Sequence, residues 1–233
     1  MDTRSRIARA RLTRQMLIRS RSGIAWEGDL AVAVVRQNKK SASRKAQLIE
    51  VATKVFLEKG FKETGIETIL SQAGLTGPAL YRHFSSKQEM LDTICINAAQ
   101  RTLQLCFEIE HESLKPKEKL ATLIRRRLDY LFSARGKEAF LGVSQRAHIS
   151  DEARARILAM QREYGDIFAN LLKAVRPDLN DNERKLMFFS IQNMMLYSIW
   201  RSKDRALLSD DEQKALLEKM VWSTMMAREA EPS

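Results

Sequence analysis

The chain has 233 residues, 44% of them hydrophobic, and carries 40 Lys and Arg against 29 Asp and Glu, a formal net charge of +11. Few glycines and prolines (nine and four) and helical spacing in every strong periodic segment argue against a sheet-based fold and predict an all-α one of about nine helices. The longest apolar run, 186–200, is broken by Ser190, Gln192, Asn193 and Ser198 and is shorter than the roughly 20 residues of a membrane span, so no membrane partner is expected.

The charge is concentrated at the start. Residues 1–45 hold 12 Lys and Arg against Asp2, Glu27 and Asp29, a net of +9, which leaves 28 against 26 elsewhere. Residues 1–42 read as a basic, disordered arm with some helix around 7–17. Three readings stay open: an arm that adds sequence-independent phosphate attraction, a targeting-type segment, or a stretch partly untranslated. In the last, initiation at Met16 or at a non-Met codon such as Val35 would leave much of residues 1–38 unmade. The folded part is expected from Ser43. Leu48, Ile49, Ala52, Val55 and Phe56 recur at three and four, the stripe of an amphipathic helix that Gly60 ends and that presents Arg44 and Lys45 at its exposed start.

Residues 64–87 read TGIETILSQAGLTGPALYRHFSSK. Thr64 and Glu67 have capping-box spacing, so a helix is expected to start there with Ile66, Ile69, Leu70 and Ala73 buried. Gly74 supplies the left-handed turn, and Leu75 plugs back into the angle. Thr76 is expected to cap a second helix over 77–84, with Pro78 in its first turn and Leu80 and Phe84 as anchors. Ser85 or Ser86 caps the next helix, which opens at Lys87. The stretch GLTGPALYRHFSSK, preceded by Ala52, Phe56 and Gly60 at their spacing, resembles the DNA-binding domain of the TetR family of bacterial transcription regulators over about fifty residues.

That resemblance implies a helix-turn-helix domain over 43–90 and a helical effector-binding and dimerisation domain over 91–230. Tyr81, His83 and Lys87 match family positions that hold the DNA backbone beside the major groove, contacts that fix register without reading sequence. Arg44 and Thr64, with the N–H groups that open its helix, join them as phosphate contacts. Base reading falls to Thr76, Pro78, Ala79 and Arg82, where Arg82 has the geometry for a guanine and Pro78 or Ala79 for a thymine methyl. Gly77 lacks a side chain where many relatives have a polar one, which leaves room for shape readout.

Beyond Lys87 a long helix to about residue 111 links the domains, and helices are expected over 117–134, 138–148, 151–175, 182–202 and 210–228. Ser150 and Asp181 serve as caps, and Ser209 with Glu212 as a capping box. The last two helices resemble the family's dimerising pair. Met187, Ile191, Met195 and Ile199 on one and Leu217, Val221 and Met225 on the other are expected at the interface, because their apolar faces exceed what one core needs. Phe107, Leu128, Phe132, Phe168, Met194, Tyr197 and Trp200 are candidate lining for an effector cavity. Arg125, Gln145, Arg146 or His148 would be its polar handle.

Cys95 and Cys106 lie eleven residues apart on one predicted helix, roughly 16 Å, too far for a bridge and in keeping with a reduced cytoplasm. The three histidines lack metal-ligand spacing, no nucleophile elbow or phosphate loop is present, and neither catalysis nor a cofactor is expected. Two functions remain. One is a homodimeric, nucleoid-associated repressor on a palindromic operator, released by an apolar or acyl-thioester effector. The other is a DNA-bound interaction module or activator without a small-molecule effector.

Overall fold

The described residues contain nine α-helices and one 3₁₀ turn, joined by short turns and loops, with no strand among them. The computed structural model describes the backbone of residues 27–202 and 208–227, with side chains for 41–196 and 208–227. The helices are α1 (Glu27–Lys59), α2 (Ile66–Ala73), α3 (Gly77–Tyr81), α4 (Lys87–His111), α5 (Pro116–Phe132), α6 (Gly136–Ser144), α7 (Asp151–Val175), α8 (Asp181–Ser202) and α9 (Asp210–Met226); the 3₁₀ turn is Arg146–His148. The described residues fall into two compact units divided between Arg44 and Lys45.

Helix α1 starts at Glu27, not at Ser43, so residues 27–42 are helical where a disordered arm was expected. Beyond Gly28 this stretch has no glycine or proline to stop it, and eight of residues 29–42 are Ala, Leu, Arg, Lys or Gln, all competent helix formers. The readings for residues 1–26 lie outside the described residues.

Within residues 45–227, two buried clusters share α4 and α7. The first holds Leu48, Ala52, Val55 and Phe56 of α1, Ile69 and Leu70 of α2, Leu80 and Phe84, and Met90, Leu91 and Ile94 of α4. It also takes in Leu141, Ile149 and Ala153. The helix-turn-helix core therefore continues past residue 90, where sequence reading set a domain boundary. The second packs Cys106 and Ile109 of α4 with Leu120 to Leu131 of α5, Tyr164 to Leu172 of α7, Phe188 to Met195 of α8, and Leu217, Val221 and Met225 of α9. The helix pattern alone cannot place that boundary, because both clusters draw on the unbroken α4.

Side-chain caps explain several helix starts. Ser86 accepts from the Glu89 amide (3.1 Å) while the Glu89 carboxylate accepts from the Ser85 amide and hydroxyl, so α4 opens at Lys87 as expected. Those bonds hold the Glu89 carboxyl below the usual carboxylate range. Ser150 caps α7, and Ser209 with Glu212 forms the expected box on α9. Two caps differ. The carboxamide oxygen of Asn180, not Asp181, accepts from the amides of Asn182 and Glu183. The expected helix over 138–148 is instead α6 followed by a break at Gln145 and the 3₁₀ turn. Among the described residues no helix is long and apolar enough to cross a membrane.

Candidate DNA-binding surface and effector cavity

Gly60 and Gly74 are the only described residues with positive φ, at 84° and 61°, and each ends a helix. After Gly74 the Leu75 amide donates back to the Leu70 carbonyl (3.1 Å) and the Leu75 side chain packs on the core, which fixes the angle between α2 and α3. Helix α3 is short, but the amides of His83 and Phe84 both bond the Leu80 carbonyl, so the helical path carries on to Phe84. Leu80 and Phe84 are fully buried beneath it, while Tyr81 is 58% exposed and Thr76, Pro78 and Arg82 are also exposed. Gly77 and His83 are half-buried at its flanks. Thr76 occupies the cap position in extended conformation, but its hydroxyl makes no capping bond.

Three DNA-contact expectations change. Thr64 is 1% exposed and its hydroxyl donates to the Gly60 carbonyl at 2.6 Å. The cap position of α2 falls to Gly65, so the capping box with Glu67 does not form and the Thr64 side chain is unavailable to phosphate. Ala79 is 6% exposed and faces the core, because the helical twist that puts Tyr81 and Arg82 outward turns it inward with Leu80. Lys87 is committed elsewhere. Its ammonium donates to the carbonyls of Phe61 (2.8 Å), Thr64 (2.8 Å) and Lys62 (3.4 Å) and lies 4.5 Å from the centre of the Phe61 ring. It clamps the turn between α1 and α2. Arg44 belongs to the other compact unit, and the surface described here is built without it.

The same turn is held from its far side. The Phe61 amide donates to the Gln145 side-chain oxygen (3.1 Å), and the His148 ring stacks on Phe61 at 5.6 Å. The Gln88 carboxamide donates to the His148 carbonyl, and Asp92 accepts from the Ser150 amide. Gln145 and His148, expected in an effector cavity, therefore act at the joint between α4, the 3₁₀ turn and the helix-turn-helix.

A cavity of about 420 Å³ lies next to that joint. Its walls are Cys95, Ala98, Ala99 and Thr102 of α4, Arg127 of α5, Ala139, Gly142 and Val143 of α6, Arg146 and Ile149 around the 3₁₀ turn, Arg154, Ile157 and Tyr164 of α7, and Phe188, Gln192 and Leu196 of α8. Its mouth includes the exposed Leu158, Gln161, Phe189 and Asn193. Of the candidate lining residues whose side chains are described, none borders this space. Leu128 and Phe168 are core, with Phe168 facing only a void of about 10 Å³. Phe107 is exposed to solvent, and Phe132 and Met194 pack on the outside of the core. Tyr197 and Trp200 lie outside the described side chains. Arg146, among the candidate polar handles, does border it, whereas Arg125 pairs with Glu218 on the surface. Large aromatics fill space; the cavity exists where Ala98, Ala99, Ala139 and Gly142 leave it.

The residues expected at a dimer interface are mostly internal. Ile191, Met195, Leu217, Val221 and Met225 are buried inside the subunit, Met187 packs beside them, and Ile199 lies outside the described side chains. Among the described side chains of these two helices the exposed large apolar ones are Leu186 (69%), Phe189 (58%), Leu216 (46%) and Met220 (44%). Cys95 and Cys106 are buried and unpaired, and burial pushes both thiols up to about 12. No group of three His, Cys, Asp or Glu side chains that suits a metal ion occurs among the described residues.

An exposed recognition helix, set by a glycine turn against a buried three-helix base, defines a helix-turn-helix DNA-binding protein. Residues 48–94 match the family model for bacterial regulatory proteins of the tetR family, and residues 113–200 match that for the tetracyclin repressor-like C-terminal domain. The chain belongs to the tetR family, whose members are transcriptional regulators and not enzymes. It is 40% identical over 52 residues to the HTH-type transcriptional repressor KstR2 of Mycobacterium tuberculosis (strain ATCC 25618 / H37Rv), a match covering 22% of this chain. The chain spans about a quarter (26%) of that relative's length. The fold matches a TetR-family regulator from Bordetella parapertussis 12822 (TM-score 0.67, 20% identity, 78% of this chain and 94% of that one). It also matches AibR in complex with isovaleryl coenzyme A and operator DNA (TM-score 0.64, 19% identity, 76% and 97%).

Proposed function

We propose that this chain is a cytoplasmic, homodimeric repressor that is released from a palindromic operator by a small molecule bound in the 420 Å³ cavity. The observation that carries the DNA-binding part is α3 itself, with Tyr81, Arg82, Thr76 and Pro78 outward on a base fixed by Leu80 and Phe84. Arg82 reads a base edge, Tyr81 and His83 hold the backbone, and the start of α2, which no side chain caps, leaves amide donors for a phosphate.

One such helix makes too few contacts for high specificity, and a two-fold pair places two of them about one DNA turn apart, roughly 34–36 Å. Leu186, Phe189, Leu216 and Met220 supply the apolar face for that pairing, since exposed residues of this size on two neighbouring helices suit a partner better than water. The repressor sign follows KstR2, which is named a transcriptional repressor, and the effector class follows AibR, whose complex holds isovaleryl coenzyme A and operator DNA. The coupling is local: the 3₁₀ segment that walls the cavity through Arg146 and Ile149 also grips Phe61 through Gln145 and His148.

A mobility-shift assay on the DNA upstream of the protein's own gene tests the reading, with and without a panel of acyl thioesters and free acids. Sequence-specific binding lost on adding a panel member is the expected result, and binding that persists across the panel refutes release by a ligand. Sedimentation of wild type and of the Leu186→Glu/Met220→Glu variant tests the interface. The variant is expected to run as a monomer, and an unchanged dimer refutes the assigned face.

A further inference from the structure

Building on the reading of the cavity as an effector site, we propose that its occupant is an apolar molecule with an oxyanion headgroup seated on Arg127. Helix α5 turns a stripe of Leu120, Leu123, Ile124, Leu128 and Leu131 to the core, and Arg127 falls within that stripe. It is 8% exposed. One of its terminal nitrogens donates to the Thr102 hydroxyl at 2.6 Å, while its Nε is buried with no hydrogen-bond partner. The Tyr130 ring lies 5.4 Å away, and Tyr164 and Cys106 are further neutral neighbours. No carboxylate among the described residues pairs with it; the buried Glu138 pairs with Arg101 instead.

Stability does not account for this residue. A guanidinium buried against one neutral hydroxyl loses its hydration without a counter-charge, and an apolar side chain of similar size serves a core better. Burial accordingly pulls the guanidinium below its usual range, although arginine keeps its charge in proteins. An arginine retained here and bordering an open cavity has the form of a binding group that awaits its partner.

The remaining lining agrees in sign. Arg146 and Arg154 also border the space, the Arg154 Nε is likewise buried without a partner, and the described lining contains no Asp or Glu. Ala98, Ile157, Phe188 and Leu196 give the same lining its apolar surface. A cavity of about 420 Å³ is too large for a bare inorganic anion and falls in the range of small-molecule sites. A planar guanidinium matches a carboxylate in bidentate geometry and also binds phosphate. A free fatty-type acid and the phosphates of its coenzyme A thioester share that chemistry.

The test titrates the full-length protein calorimetrically with octanoate, octanoyl coenzyme A and 1-octanol, using wild type, Arg127→Met and Arg127→Lys. At least one of the two anions is expected to bind about tenfold or more tightly than the alcohol, in line with a charge-assisted contact made in a desolvated site. Arg127→Met is expected to abolish that preference while matching or exceeding the wild-type melting temperature without ligand. Arg127→Lys retains part of the preference. Octanoate binding identifies a free acid, and octanoyl coenzyme A alone identifies the thioester. Equal binding of the alcohol, a preference that survives in Arg127→Met, or no binding by any of the three overturns the proposal. Any of those results, obtained while some compound of the mobility-shift panel still releases operator DNA, sinks the arginine headgroup alone, whereas release by no compound sinks the effector reading on which it rests.

Discussion

Replacing Lys87 by methionine separates two roles that look alike in a binding assay. The ammonium makes two bonds of 2.8 Å to backbone carbonyls and a longer one of 3.4 Å, and it sits 4.5 Å from the Phe61 ring centre. A hydrogen bond to a charged donor contributes about 1.5–3 kcal/mol and an exposed cation–π contact about 0.5–1. Lys87 is only half-buried, so water recovers part of this loss, and a net cost of about 2–3 kcal/mol is expected. For a chain of this size that lowers the melting temperature by about 5–10 °C. Operator affinity is expected to fall for every sequence, because α2 loses its fixed entry from the turn. The slope of log K against log salt is expected to hold, since no phosphate contact is lost. Had the lysine met a phosphate, the slope would shrink by about 0.9 per contact. Calorimetry and a salt series on one operator decide the matter. An unchanged melting temperature with a slope reduced by that amount would refute the clamp and restore the direct contact.

Arg82→Ala is expected to change base preference across an operator library, with losses of about 1–3 kcal/mol concentrated at one position; an equal loss on every variant rules out base reading. The glycines give a paired test by urea denaturation. Gly74→Ala meets nothing within 4 Å and carries only the left-handed penalty of about 1–2 kcal/mol, whereas a Cβ on Gly136 would lie 1.8 Å from the Leu131 carbonyl oxygen. Gly136→Ala is therefore expected to cost more, and a smaller loss than at Gly74 would show that the start of α6 yields. Both thiols are raised from 9.0 to about 12 in the folded chain, so the unfolded state ionises first. The stability tied to them is complete below about pH 9 and declines towards pH 12, and a Cys95→Ala/Cys106→Ala variant is expected to lose stability less steeply over that window. Identical pH profiles would exclude the thiols as its source.

The helices were legible because helical spacing and caps are local. Ser86, Ser150 and Ser209 with Glu212 mark starts that the structure reproduces. Thr64 misled for a local reason as well. Gly65 follows it and takes the extended cap conformation, while a hydroxyl four residues after Gly60 finds that residue's carbonyl first. Orientation about a helix axis was less legible. On α8 and α9 apolar residues occur nearly all round, so the sequence shows a surplus without saying which side meets the subunit's own core: Ile191 and Met195 face it, while Leu186 and Phe189 face out. The cavity was missed for a related reason, since large side chains mark where space is filled. Two signals were available. Cys95, Ala98, Ala99 and Thr102 form a small-residue stripe on α4, and Arg127 interrupts the leucines of α5.

On the proposed reading, the energetic requirement for release is modest. To weaken operator binding a hundredfold, an effector must favour the released state over the bound one by about 2.7 kcal/mol. The joint between the 3₁₀ turn and Phe61 consists of one amide donated to Gln145 and one stacked histidine ring. A net hydrogen bond of about 1 kcal/mol and a ring contact of about 0.5–1.5 kcal/mol together approach that figure. Because Arg146 and Ile149 wall the cavity one or two residues from Gln145 and His148, a ligand that displaces the wall strains this grip directly. Lys87 holds the same turn from α4, so above the shared core the turn between α1 and α2 has two polar clamps, one reachable from the cavity and one not. A ligand that loosens only the first shifts α2 and α3 without unfolding them, and that is the requirement for a switch that must close again when the ligand leaves.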